Sequence, residues 1–110
     1  MSADELTGLP ERPPLSDWVA LSPTEEAAFL AVAQLLQPDF FPWGGGIIDY
    51  ADEHYHSMSE RQGYRALTNL TEKDLIVELD PEGRIDYYDV TDEGEQLLHV
   101  VRDELQILLE

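Results

Sequence analysis

The sequence predicts an α+β fold, mostly helical, from three observations. Helix starts are marked by capping residues at Ser22, Ser59 and Thr91. Two short alternating runs, "LIVELD" and "RIDYYDV", flank the turn "PEG". At 110 residues, 43% of them apolar, the chain is one domain with material for a single core.

Residues 1–21 form the first segment, an extended arm that contains Pro10, Pro13 and Pro14. Ser22-Pro23-Thr24-Glu25 then opens a helix: Ser22 caps it, Pro23 takes the first turn and Glu25 closes a capping box. That helix runs through Phe29, Leu30, Val32, Ala33, Leu35 and Leu36 and ends before Pro38. "PDFFPWGGG" reads as a loop anchored by Phe40, Phe41 and Trp43, with Gly44-Gly45-Gly46 as a hinge into a short second helix, "IIDYADEHY". A third helix begins at Ser59, with Gln62 as its capping partner and Met58 as a hydrophobic staple. Gly63, Tyr64, Leu67 and Leu70 make its inner face, and Arg61, Gln62, Arg65 and Asn69 point away. After the two strands, Thr91 caps a last helix to the C-terminus.

The order helix, helix, helix, strand, strand, helix is that of a winged helix-turn-helix. It has three helices, a two-stranded β wing and a long C-terminal helix. Residues 22–90 make the winged-helix unit and 91–110 the terminal helix.

Charge narrows the setting. The chain has 24 Asp and Glu against six Lys and Arg, a formal net charge of −18. The acids are spread along the chain rather than gathered in a tail. A dispersed acidic surface around an ordinary core suits a protein that stays hydrated in molar salt, where a Debye length of ~3 Å suppresses self-repulsion. A halophilic source follows as an expectation. There is no cysteine, hence no disulfide, thiolate metal site or thiol switch. No apolar run approaches the ~20 residues of a membrane span. The N-terminus lacks the basic start and apolar centre of a secretory signal, so the expected compartment is the cytoplasm.

One stretch breaks the acidic pattern. Residues 61–71, "RQGYRALTNLT", contain two arginines and no acid. In the winged-helix architecture the third helix enters the major groove of double-stranded DNA, its N-terminal residues at the base edges. Arg61 and Arg65, one turn apart, can meet guanine O6 and N7 or clamp a phosphate. Gln62 can read adenine, Ser59 and Thr68 can meet phosphates, and Asn69 shares the outward face. Arg84 falls at the wing tip. Four of the six basic residues, Arg61, Arg65, Lys73 and Arg84, thus fall in the reading helix and wing. Acids on that face would repel phosphates, which explains the clearing. Two arginines on an exposed helix are by themselves an ordinary solvated face; the acid-free window is what separates this one.

"YRALTNLTEKDLI" followed by "YYDVTDEGEQLL" resembles the PadR-type transcriptional regulators. Tyr64, Ala66, Leu67, Leu70, Leu75 and Ile76 match the family's helix and first strand, and Tyr87, Tyr88, Thr91, Glu93 and Gly94 its hairpin and following helix start. Asp74 stands where the family usually has glycine, a helix-end position in left-handed backbone that Asp tolerates. The high net negative charge is a second departure, since such proteins usually show a basic face. The MarR-type regulators share the same domain. The resemblance implies a homodimer formed through the terminal helix, with two reading helices in successive major grooves ~34 Å apart. It also permits a stress response, including an oxidative one, for which Met58 would be the nearest sulfur.

The terminal helix agrees with dimerisation. Leu97, Val101, Leu105 and Leu108 form a stripe expected to close on the core, while Leu98, Val100, Ile107 and Leu109 lie largely off it. Leu98, Val101, Leu105, Leu108 and Leu109 are the expected dimer contacts.

Other chemistry is weakly signalled. His54 and His56, with Asp49, Asp52 and Glu53 nearby, suit local structure better than a metal, because His-any-His diverges on a helix. Gly44-Gly45-Gly46 lacks the Gly-Lys-Ser/Thr of a phosphate loop. No nucleophile constellation is present, so the expectation is a non-enzyme with no cofactor and no metal site. The expected function is a sequence-specific DNA-binding regulator of a salt-loving archaeon, with salt cations at the DNA interface. The alternative is a winged-helix adaptor in transcription assembly that never touches bases.

Overall fold

The computed structural model describes residues 14–80, 82–83 and 85–109. The chain is α+β and mostly helical, with one two-stranded antiparallel sheet. In chain order the elements are α1 (Leu15–Val19), α2 (Pro23–Leu35), α3 (Gly44–His54), α4 (Glu60–Glu72), β1 (Ile76–Leu79), β2 (Tyr87–Val90) and α5 (Asp92–Leu109).

The segment expected to be an extended arm differs over its described part. Residues 15–19 form α1, which packs on α5. Trp18 lies against Phe29 with ring centroids 6.1 Å apart, and Leu21 is buried. Two apolar residues within four positions are enough to dock this stretch. Residues 1–13 of the expected arm lie outside the described residues.

α2 is the central helix. Ala27, Ala28, Phe29, Ala31 and Val32 are buried around most of its circumference, because α3 and α4 both pack on it. Its start matches expectation: Ser22 Oγ accepts from the Glu25 N–H at 3.1 Å, and Glu25 Oε1 accepts from the Ser22 N–H at 2.8 Å. α3 buries Gly44, Ile47, Ile48 and Ala51, and α4 buries Gly63, Ala66, Leu67 and Leu70, each set at i, i+3, i+4, i+7. Fully burying a Leu, Ile or Phe contributes ~1.5–3 kcal/mol, so this three-helix contact dominates the core. Gly63 permits it: a Cβ there would lie 2.5 Å from Ile48 Cγ1.

Gly44, Gly45 and Gly46 are the first turn of α3, not a hinge. The Trp43 indole lies over this turn, where a Cβ on Gly45 would stand 2.5 Å from the ring. Phe40, Phe41 and Trp43, expected as bulky anchors, are exposed by 42–52%. Pro42 takes the buried place and its carbonyl accepts from the Tyr88 N–H at 2.9 Å. The loop is therefore tied down by backbone rather than by its aromatic rings.

α4 ends in a Schellman motif: the Asp74 N–H donates to the Thr71 carbonyl and the Leu75 N–H to the Leu70 carbonyl. Asp74 has φ 59°, the left-handed conformation expected there. The strands are shorter than the alternating runs suggested, pairing Ile76 with Val90, Val77 with Asp89, Glu78 with Tyr88 and Leu79 with Tyr87. Asp80, at φ 52°, starts the turn, and the Gly83 N–H donates back to its carbonyl. A bridge between Trp43 and Tyr87 extends the pairing on the outer side of β2.

α5 is the largest departure. Thr91 caps it as expected, its Oγ1 accepting from the Gly94 N–H at 3.0 Å. Of the stripe Leu97, Val101, Leu105 and Leu108, Leu97 is fully buried and Val101 half-buried, while Leu105 is 55% and Leu108 78% exposed. The spacing is right, but an 18-residue helix is ~27 Å long. It outruns the body of the domain after about its third turn. No described helix is long and apolar enough to cross a membrane.

Candidate nucleic-acid interface

α4 presents one polar face built by its own periodicity. With residues 63, 66, 67 and 70 turned inward, the Arg61, Gln62, Arg65 and Thr68 side chains fall on the solvent side and are exposed. Ser59 is exposed just before the helix. Among the described residues, neither Arg61 nor Arg65 is held in an ion pair, so both guanidinium groups keep all their donors.

The other expected contacts are partly committed within the protein. Ser59 and Gln62 form the capping box: Ser59 Oγ accepts from the Gln62 N–H at 3.1 Å and Gln62 Oε1 accepts from the Ser59 N–H at 2.9 Å. The Gln62 amide therefore has its NH₂ left for a ligand, and the Ser59 hydroxyl its proton. Thr68 Oγ1 donates to the Tyr64 carbonyl at 3.0 Å, so its proton is used inside the helix. Asn69 departs from the outward reading: it is half-buried, and its side chain helps to lower the Glu25 pKa. Arg84 lies outside the described residues.

Lys73 is likewise drawn inward, its Nζ 3.5 Å from Glu25 Oε1. Nothing local in the sequence signals this pair, which joins residues 48 apart. Glu25 is buried at 7% exposure. Burial acts to raise its pKa, but the Ser22 N–H, the Lys73 charge and the Asn69 side chain together hold it below its ordinary value of 4.5. A carboxylate with a depressed folded pKa contributes stability that is complete above the unfolded pKa and is lost as pH falls through the folded one. The Glu25→Gln variant keeps a capping acceptor and loses only the charge. We expect it to be less stable than wild type at pH 7 by ~0.5–1 kcal/mol, since Lys73 is half-exposed and screened, with the gap closing below pH 4. Urea midpoints at both pH values measure this; a gap independent of pH would refute it.

Behind the arginine face the electrostatics reverse. Tyr64 has its pKa raised by burial and by Asp86, Glu60 and Asp49. Tyr88 is pushed up to about 12, chiefly by burial, with Glu78 and Asp86 adding. Glu78 is raised by burial and by the nearby Asp86 carboxylate. The exposed arginines of α4 thus lie on the same helix as Tyr64, whose surroundings are carboxyl-rich.

The histidines take local roles. The His54 ring stacks on Tyr50 with centroids 4.2 Å apart, and His99 sits 3.8 Å from Glu95 one turn earlier on α5. Asp52 Oδ1 accepts from the Met58 N–H at 2.8 Å. Met58 is buried at 8% exposure, which shields its sulfur. Comparison with family models, curated proteins and solved structures finds no match to this chain.

Proposed function

We propose that this chain is a PadR-like winged helix-turn-helix regulator that reads double-stranded DNA as a homodimer in a salt-loving archaeon. The observation that carries the proposal is the acid-free stretch 61–71 of α4, with Arg61 and Arg65 exposed and, among the described residues, in no ion pair. The element order, the β1–β2 hairpin and the Trp43–Tyr87 bridge beside it support a winged-helix reading. α4 then lies in the major groove and the 80–86 connection follows the backbone as the wing. Selection of bound sequences from random DNA in molar potassium chloride tests it; recovery of no sequence preference would leave the adaptor reading.

Dimerisation is assigned to α5. An open apolar groove of about 590 Å³ runs between α2 and α5, lined by Leu30, Leu98, Val101, Leu105 and Leu109. Leu108 and Leu109 beyond it are 78% and 86% exposed. Exposed apolar surface of this kind is costly in water unless a partner covers it, and a second copy of α5 has the matching composition. Light scattering at high salt should give twice the chain mass; a stable monomer at micromolar concentration would overturn the assignment.

Salt dependence is the distinctive expectation. Ordinary DNA binders release condensed cations and lose affinity with a slope of about −0.9 per phosphate neutralised. Here few cations face the phosphates and the chain carries −18. Carboxylates such as Glu60, Glu82 and Asp86 should take up cations as they approach the DNA, offsetting that release. Titration of labelled operator across potassium chloride concentrations should show affinity flat or rising toward molar salt. Glu60→Gln and Glu82→Gln should restore a falling slope. A steep conventional loss in the folded wild type would sink cation uptake.

A further inference from the structure

A second groove lies away from the arginine face, between the 37–43 turn and the outer side of α3. It encloses about 340 Å³, at the lower end of small-molecule sites. Its walls are aromatic: Phe40 and Trp43, both 52% exposed, face Tyr50 across it. The Trp43 indole lies over Gly46, where a Cβ would stand 2.8 Å from its Nε1, and Asp49 and Glu53 stand on the rim. Gly46, Asp49, Tyr50 and Glu53 share one face of α3 at i, i+3, i+4, i+7.

Three features of this groove bear on a ligand. Large aromatic rings are left in water although Pro42 beside them is buried. The Tyr50 ring is held in place from behind by His54 and edge-on by Tyr55, with centroids 4.2 and 5.8 Å away, so one wall is preset. Asp49 and Glu53 are like charges one turn apart, a mildly unfavourable pairing. Among the described residues neither is held in a hydrogen bond or ion pair.

We propose that this groove binds a small organic cation with an apolar body, such as an aromatic or quaternary ammonium. The ring faces attract the cationic centre through their quadrupoles and cover its methyl or aryl groups. The two carboxylates supply the charge complement and are relieved of mutual repulsion when it binds. An anionic ligand is repelled here, and a neutral one gains only the apolar contact. The site is independent of DNA reading, because none of its residues lies on the outer face of α4.

Benzyltrimethylammonium is the probe, titrated into the full ¹⁵N-labelled chain in potassium chloride that keeps it folded. The Trp43 indole N–H and the amides of Gly46, Asp49, Tyr50 and Glu53 should shift and saturate, while the Trp18 indole, packed on Phe29, stays still. Benzyl alcohol, uncharged and of similar size, should bind roughly tenfold more weakly or worse. The double variant D49N/E53Q should weaken the cation about as much while keeping the dispersion of a folded spectrum, and W43A should weaken both probes. The proposal fails if no shift saturates, if the neutral probe binds as tightly, if D49N/E53Q binds like wild type, or if the shifts centre on the α5 groove.

Discussion

Replacing both Arg61 and Arg65 by alanine should abolish sequence-specific DNA binding without unfolding the protein. Both side chains are exposed, and neither is held in an ion pair with a described residue, so their loss removes no core contact. Alanine is also the better helix former, by a small margin over arginine. A bidentate arginine–guanine contact contributes ~1–3 kcal/mol of discrimination. Two such contacts one turn apart are coupled, so the double variant should lose ~2–5 kcal/mol rather than a strict sum. Lysine at either position should not restore it, because an ammonium lacks the planar fork. Binding isotherms on a selected site and a scrambled one in molar potassium chloride separate specific from general loss. Unchanged affinity in both single variants and the double variant would leave only the adaptor reading.

The G94A substitution should be the most damaging single-methyl change in the chain. Gly94 lies in the first turn of α5, where helix propensity alone favours alanine by ~1 kcal/mol. Packing opposes it more strongly. A Cβ there would run into the Leu75 carbonyl oxygen and come within 2.9 Å of Val90 Cγ1. The first of these is backbone in the turn that closes the Schellman motif of α4, so it cannot swing aside. α5 must lift, and with it Leu97, which is fully buried. We expect a net loss of ~2–4 kcal/mol, or roughly 10–20 °C in Tm for a domain of this size. G63A is the comparison: its Cβ meets Ile48 side-chain atoms rather than backbone, so its loss should be smaller. Thermal melts of the two variants decide; a neutral or stabilised G94A would mean that α5 is not seated on Leu75.

Most of the elements were legible because their signals are local, although α1 and the glycine-led start of α3 were not. Ser22-Pro23-Thr24-Glu25 and Ser59 with Gln62 carry their capping boxes within four residues, and both form as the spacing requires. The helical repeat that turned Gly63, Leu67 and Leu70 inward also left Arg61 and Arg65 outward. Asp74, read as a left-handed helix end from one position, adopts that backbone.

What the sequence could not decide depends on where distant surfaces stop and meet. Asn69 and Lys73 look like interface residues on a helical wheel, yet Glu25, buried across the α2–α4 contact, draws both inward. Only tertiary packing brings a carboxylate 48 residues away to them. Leu105 and Leu108 continue the stripe begun by Leu97, but periodicity says which face a residue shares, not whether protein remains beneath it. Phe40 and Trp43 read as anchors because large rings are usually buried. The backbone bonds of Pro42 to Tyr88 and of Gly44 to Asp86 hold that loop instead, and leave the rings lining a groove. Local periodicity and capping therefore determined the elements and the arginine face. The extent of the core and the placement of long-range partners decided which of those faces remain open.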